Sequence, residues 1–243
     1  MTKKYLVLVF HGSPVLEAFN SYDMLVQEVR SRVSHNMQVV SGVLEHPNKK
    51  YRLVDDVLQE LERGFVFIQP ILLFEGDHFM NDVPRIVKLA EALGHSAIHG
   101  SCLGTDKVLI DYALFVMNKI IERHPDHLLF VGRGSSYPKA LDQALLVANQ
   151  LSARLGIPYT IAYAGISKPD IYEGLWMVAR KGARRLAILP YMFHEGVLVK
   201  RVEYCARQYS WPFEINLLTP IGNASVLASL IARRALETSN ATM

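Results

Sequence analysis

Three residues of this chain carry side chains suited to joint chemistry although they lie dozens of positions apart: His11, Glu45 and His78. Two imidazoles and a carboxylate form a donor set for a borderline divalent metal that keeps open coordination positions. The same groups suit proton transfer near neutral pH, where histidine titrates. A lone His beside Gly at a strand end is an ordinary turn residue, so the chemistry depends on all three converging. His46 competes with Glu45 for its place. Glu75 and Asp77 flank His78, either as acceptors that orient it or as solvated loop charges. His35, His95, His99, His124 and His127 share no such placement and read as surface or helix-end residues.

Convergence requires particular elements. Tyr5 to Phe10 is a short apolar run cut off by His11, Gly12 and Ser13, which reads as a strand buried on both faces of a parallel sheet. Further strands are expected at Met37 to Leu44, Phe65 to Leu73 and Ser96 to His99. The intervening helices are expected at Val15 to Val33, Tyr51 to Arg63, Asn81 to Leu93 and Thr105 to Arg123, with Gly64 and Gly94 as stops. In a doubly wound sheet the first strand lies inside with the second and third beside it, so the loops after these strands are neighbours at the ligand-binding edge. Strands spaced about 4.8 Å apart allow His11, Glu45 and His78 to meet within roughly 10 Å.

The pattern then repeats. Strands are expected at His127 to Val131, Tyr159 to Ala164, Arg185 to Tyr191 and Phe213 to Leu217. Helices follow at Pro138 to Leu155, Asp170 to Lys181, Val197 to Tyr209 and Asn223 to Leu236, with residues 238–243 as a frayed tail. LVFHGS aligns with FVGRGS and QPILLFEG with LPYMFHEG, which points to tandem duplication. The fold class expected is α/β, two tandem parallel-sheet domains of flavodoxin-like strand order, related by a pseudo-two-fold and facing each other across a cleft. Residues 1–124 form the domain carrying the active site and 125–243 its degenerate repeat. In the repeat Arg133 stands where His11 is, Gly165 where Glu45 is and Leu198 where His78 is. His194 aligns with Phe74 and is not the missing ligand. Arg133, Lys200 and Arg201 are left as candidates for anionic substituents.

Composition excludes several classes. A net charge of +3 on 243 residues does not signal nucleic acid. Cys102 and Cys205 are far apart and form no metal knuckle or cluster motif. No apolar stretch approaches a membrane span or a signal-peptide core. A cytoplasmic monomer without nucleic-acid or membrane partners is expected.

LVFHGS, the stretch QPILLFEGDHFMNDVP and their copies GRGSSYP and LPYMFHEGVLVKRV resemble the sirohydrochlorin chelatases of the CbiX and SirB kind, the class II chelatase superfamily. The resemblance covers both halves. It implies ATP-independent insertion of Fe²⁺ or Co²⁺, as substrate metal, into sirohydrochlorin, in siroheme or cobalamin biosynthesis, with no nucleotide cofactor. It implies that His11 and His78 handle the metal and that Glu45 is the associated catalytic glutamate. Pro14 stands where the family commonly has Arg after HGS, and the chain lacks a His- or Cys-rich tail. Lys49, Lys50, Arg52 and Arg85 join Arg133, Lys200 and Arg201 as candidates for the macrocycle's carboxylates. The rival reading is a tetrapyrrole or metal carrier that binds without catalysing. A hydrolase using Ser13 lacks the strand-to-helix Gly-x-Ser-x-Gly setting.

Overall fold

The apolar runs form two four-stranded, wholly parallel sheets. In the computed structural model, which describes residues 2–14, 18–33, 37–119 and 124–241, the strand orders are β2-β1-β3-β4 and β6-β5-β7-β8. The first sheet comprises β1 (Lys3–Phe10), β2 (Gln38–Val43), β3 (Gly64–Pro70) and β4 (Ser96–His99). The second comprises β5 (His127–Gly132), β6 (Tyr159–Tyr163), β7 (Arg185–Pro190) and β8 (Glu214–Leu217). Both have the strand order expected of a flavodoxin-like sheet.

The helices are α1 (Ala18–Arg32), α2 (Val54–Gln59), α3 (Val83–Ala92) and α4 (Lys107–Asn118), then α5 (Pro138–Leu155), α6 (Ile171–Arg180), α7 (Val197–Arg207) and α8 (Ala224–Ala241). One π-helical turn, His78–Asp82, runs directly into α3. Among the described residues, no helix is long and apolar enough to cross a membrane.

Alternation explains the strands. Tyr5, Val7 and Val9 of β1 pack with Val66 and Ile68 of β3 against Val54, Leu58, Ile86 and Ala90 of α2 and α3. The intervening Leu6, Leu8 and Phe10 face the other way and are also buried, so the strand reads as unbroken apolar sequence. Full burial of each such side chain contributes about 1.5–3 kcal/mol.

Four expectations are corrected. The helix expected over 51–63 shrinks to Val54–Gln59, because Leu53 bridges to Val43 as an extension of the sheet. Gly64 does not cap that helix but opens β3, where a Cβ would lie 2.3 Å from the Lys3 carbonyl oxygen. The third strand ends at Pro70, not Leu73. The C-terminal residues do not fray at 238, since α8 continues to Ala241. The ends of the helices expected to begin at Val15 and to run to Arg123 lie outside the described residues, as does His35.

Packing divides the chain into one compact unit of Met1–Leu103 with Asn223–Met243 and a second of Gly104–Gly222. In the first, α8 lies along α1, with Arg32 donating to Ser225 and Lys4 to the Ser239 hydroxyl. In the second, α4 joins α5 through Arg154 and Asp111. The helix following each sheet in sequence therefore packs in the other unit.

Candidate metal centre

The edge of the first sheet is built by backbone hydrogen bonds that continue past the strands. Leu44 N–H donates to the Phe10 carbonyl at 2.9 Å and Glu45 N–H to the His11 carbonyl at 3.0 Å. These two bonds carry the β1–β2 ladder onto the residues that bear the chemistry. On the other side, Ile71 N–H donates to the Val9 carbonyl at 2.8 Å. Gly12 lets the chain turn away at once: its φ is +95°, and a Cβ there would lie 1.8 Å from the Glu45 carbonyl oxygen. Only glycine combines that backbone with that closeness.

His11, Glu45 and His78 meet at this edge. Their ligand atoms all lie within 4.8 Å of one another. The imidazoles of His11 and His78 stand edge to face, with centroids 4.4 Å apart and planes at 83°. His11 Nδ1 lies 3.1 Å from the Gly12 carbonyl oxygen and His78 Nδ1 lies 2.9 Å from Asp82 Oδ2. Both partners can only accept, so a neutral ring bonded in this way carries its proton on Nδ1, which leaves Nε2 as the nitrogen able to ligate. His78 Nε2 is 3.9 Å from Glu45 Oε1, while Glu45 Oε2 is 3.7 Å from His46 Nε2. Tetrahedral ligands on a divalent ion with bonds near 2.1 Å lie about 3.4 Å apart. The trio is thus slightly open, with three donors and room for a further ligand. Glu45 and His46 are half-exposed and His78 mostly covered.

His78 does not sit on a loop, as its strand-end position suggested, but opens the π-helical turn. The carboxylate bonded to it belongs to Asp82, a residue to which the sequence reading gave no role; Asp77 instead accepts from Asn81 at 2.8 Å. The signal was present as His-x-x-x-Asp, the spacing at which side chains on a helix meet. Arg85 holds Asp55 through two bonds of 2.6 and 3.0 Å and reaches Asp82 at 3.8 Å. Lys50 is paired with Asp23 and Arg52 with Glu60. Three of the cations considered for substrate carboxylates thus have carboxylate partners within the protein. Of the histidines expected at the surface or at helix ends, His95 lies just past the end of α3 and is buried, while His127 is buried at the start of β5.

The second sheet repeats the frame without the donors. Ala164 N–H donates to the Gly132 carbonyl and Tyr191 N–H to the Val131 carbonyl, each at 2.9 Å. Arg133 follows β5 as His11 follows β1, with Gly165 and Leu198 at the positions of Glu45 and His78. His194 is held below its ordinary pKa by burial and by the nearby Arg133 guanidinium. Arg201 donates to the Ala164 carbonyl at 2.9 Å, and Lys200 is exposed on α7.

Tandem parallel units, one of them carrying a His–Glu–His edge, define a duplicated α/β protein with a candidate metal site. One family model, that of CbiX, matches residues 5–115 and again 127–238. The chain belongs to the CbiX family. It is 25% identical over 211 residues to a sirohydrochlorin ferrochelatase of Priestia megaterium, covering 84% of this chain and 79% of that one. To a sirohydrochlorin cobaltochelatase of the same organism it is 25% identical over 187 residues, covering 71% of this chain but only 60% of the relative. Among solved structures, SirB from Bacillus subtilis with Fe³⁺ superposes with a TM-score of 0.83 at 20% identity, over 97% of this chain and 95% of that one.

Proposed function

We propose that this protein inserts a divalent metal ion, Fe²⁺ or Co²⁺, into sirohydrochlorin without ATP or another nucleotide, as an enzyme of siroheme or cobalamin biosynthesis. The observation that carries the reading is the convergence of His11, Glu45 and His78 within 4.8 Å in a chain of the CbiX family. Metallation exchanges the ion's solvent for the pyrrole nitrogens and releases two pyrrole protons. His11 and His78 present Nε2 lone pairs that hold the ion at one face of the macrocycle. A closed four-ligand site would retain the metal, so an open donor set is what transfer requires. Glu45, half-exposed beside His78, accepts a released proton and passes it to solvent. Arg133, Lys200 and Arg201 meet carboxylates of the macrocycle. The protein acts as a cytoplasmic monomer, without nucleic-acid or membrane partners.

The test is anaerobic spectrophotometry of the purified protein with sirohydrochlorin and Fe²⁺, Co²⁺ or Ni²⁺. Metallation should run well above the uncatalysed rate, and His11→Ala or His78→Ala should abolish the acceleration in folded protein. Full activity in both variants overturns the assignment. Stoichiometric binding of metal or macrocycle with an unchanged metallation rate would make the protein a carrier.

A further inference from the structure

We propose that Asp82 is a positioning residue for the metal site: its carboxylate fixes the tautomer and ring angle of His78, and Arg85, anchored on Asp55, fixes Asp82. The proposal deepens the reading of His78 as a metal-handling residue and rests on it.

The spacing alone does not supply this partner, because the position four residues on can equally face the core. The duplicated unit shows what an ordinary helix does at the same place. There α7 is α-helical from Val197, Leu198 stands at the position of His78, and the residue four further on, Val202, is buried in the core. In the first unit the π-helical turn His78–Asp82 adds one residue before α3 begins. The core position therefore falls five residues after His78, at Val83, which is as fully buried as Val202. The position four residues on is released from the core and holds Asp82, with Oδ2 2.9 Å from His78 Nδ1. A π turn is a rare local insertion and concentrates at functional sites. Here its consequence is specific, because it turns a core position into an acceptor for a site histidine.

The supporting charges follow the histidine. Arg85 bridges Asp55 and Asp82 in the first unit. With Val202 of α7 at the place of Val83, Tyr204 stands where Arg85 is and Arg201 where Asp82 is, so this helix has no carboxylate at the place of Asp82. At the other site histidine, His11 Nδ1 lies 3.1 Å from a backbone group, the Gly12 carbonyl oxygen. Asp82, 2.9 Å from His78 Nδ1, sets the direction of that imidazole, as carboxylates bonded to metal-binding histidines do.

The experiment reads metal binding in the absence of macrocycle. Co²⁺ is titrated into the whole protein and followed by its visible d–d absorption, for the wild type, Asp82→Ala, Asp82→Asn, His78→Ala and the Asp82→Ala/His78→Ala pair. Asp82→Ala should weaken Co²⁺ binding about 10–100-fold and raise KM for the metal more than it lowers kcat. Asp82→Asn keeps an oxygen that accepts from Nδ1–H and should recover most of the loss. On the His78→Ala background, Asp82→Ala should change nothing further. If the alanine variant does not fold, Asp82→Ser replaces it, serine being compatible with the start of α3 but too short to reach the ring. Wild-type Co²⁺ affinity in Asp82→Ala or Asp82→Ser overturns the proposal, and so does a loss that persists undiminished without His78. A wild type that binds Co²⁺ but metallates nothing would overturn the enzymatic reading while leaving the role of Asp82 tested by the same titrations.

Discussion

Replacing Gly12 by Ala should damage stability and metal binding together. At φ +95° an alanine pays roughly 1–2 kcal/mol for leaving its allowed regions. Its Cβ would also lie 1.8 Å from the Glu45 carbonyl oxygen, whereas real contacts stay above 3.0 Å, so that carbonyl must move by more than an ångström. The carbonyl is not free to move, because Glu45 N–H and Leu44 N–H are bonded to His11 and Phe10. Losing those two bonds adds about 0.5–1.5 kcal/mol each. The sum is roughly 2–5 kcal/mol, and the displaced segment bears Glu45 itself. A misplacement of about 1 Å at a reacting site is worth roughly 10²-fold. The control is Gly156→Ala at the end of α5, where φ is +68° and nothing lies within 4 Å. That variant should lose about 1 kcal/mol and keep its Co²⁺ affinity. Urea midpoints and Co²⁺ titrations of both variants decide the matter. If Gly12→Ala is no less stable than Gly156→Ala, or binds Co²⁺ like the wild type, the claim that close backbone approach frames the site is wrong.

Two further outcomes concern the second unit. Buried His127 is bonded to the Thr160 hydroxyl at 2.9 Å, and that hydroxyl also receives Lys181 Nζ at 2.9 Å. Burial and the Lys181 charge hold the imidazole below its ordinary 6.5; the unfolded chain therefore binds the extra proton first, and stability present above about pH 6.5 is lost as pH falls towards the lowered folded value. Urea midpoints should drop between about pH 8 and pH 5.5 by more in the wild type than in His127→Gln. Asp170 accepts from Glu173 N–H at 3.0 Å while Glu173 Oε2 accepts from Asp170 N–H at 2.7 Å, a reciprocal cap on α6. Asp170→Ala should therefore lower stability by about 1 kcal/mol, a fall of roughly 2–4 °C in Tm, measured by calorimetry.

The sheet order was legible because the strands are buried on both faces and announce themselves as unbroken apolar runs, and because parallel connections leave few topologies. The trio was legible because strand ends in such a sheet are neighbours whatever the loops do. What sequence reasoning missed lies where local geometry departs from its commonest form. Gly64 looked like a helix cap because glycine serves both for left-handed turns and for close approach, and the chain uses it here against the Lys3 carbonyl. Asp82 was given no role because a strand-end histidine was expected on a loop, where a residue four positions away has no fixed direction. Once His78 opens a π-helical turn, that spacing becomes a contact.

The duplication separates two kinds of information that one domain would leave mixed. In both units the same amides reach past the strand ends to the same carbonyls: Leu44 to Phe10 and Ala164 to Gly132, Ile71 to Val9 and Tyr191 to Val131. This frame needs only backbone groups, apolar strand interiors and glycines at the turns, so it survives while His11, Glu45 and His78 give way to Arg133, Gly165 and Leu198. Fold and chemistry are therefore written in different positions of this chain. The exception is the π-helical turn, where a change in backbone register and the gain of a polar contact are one event. Removing it would leave the sheet intact yet return a core residue to the place from which Asp82 reaches His78.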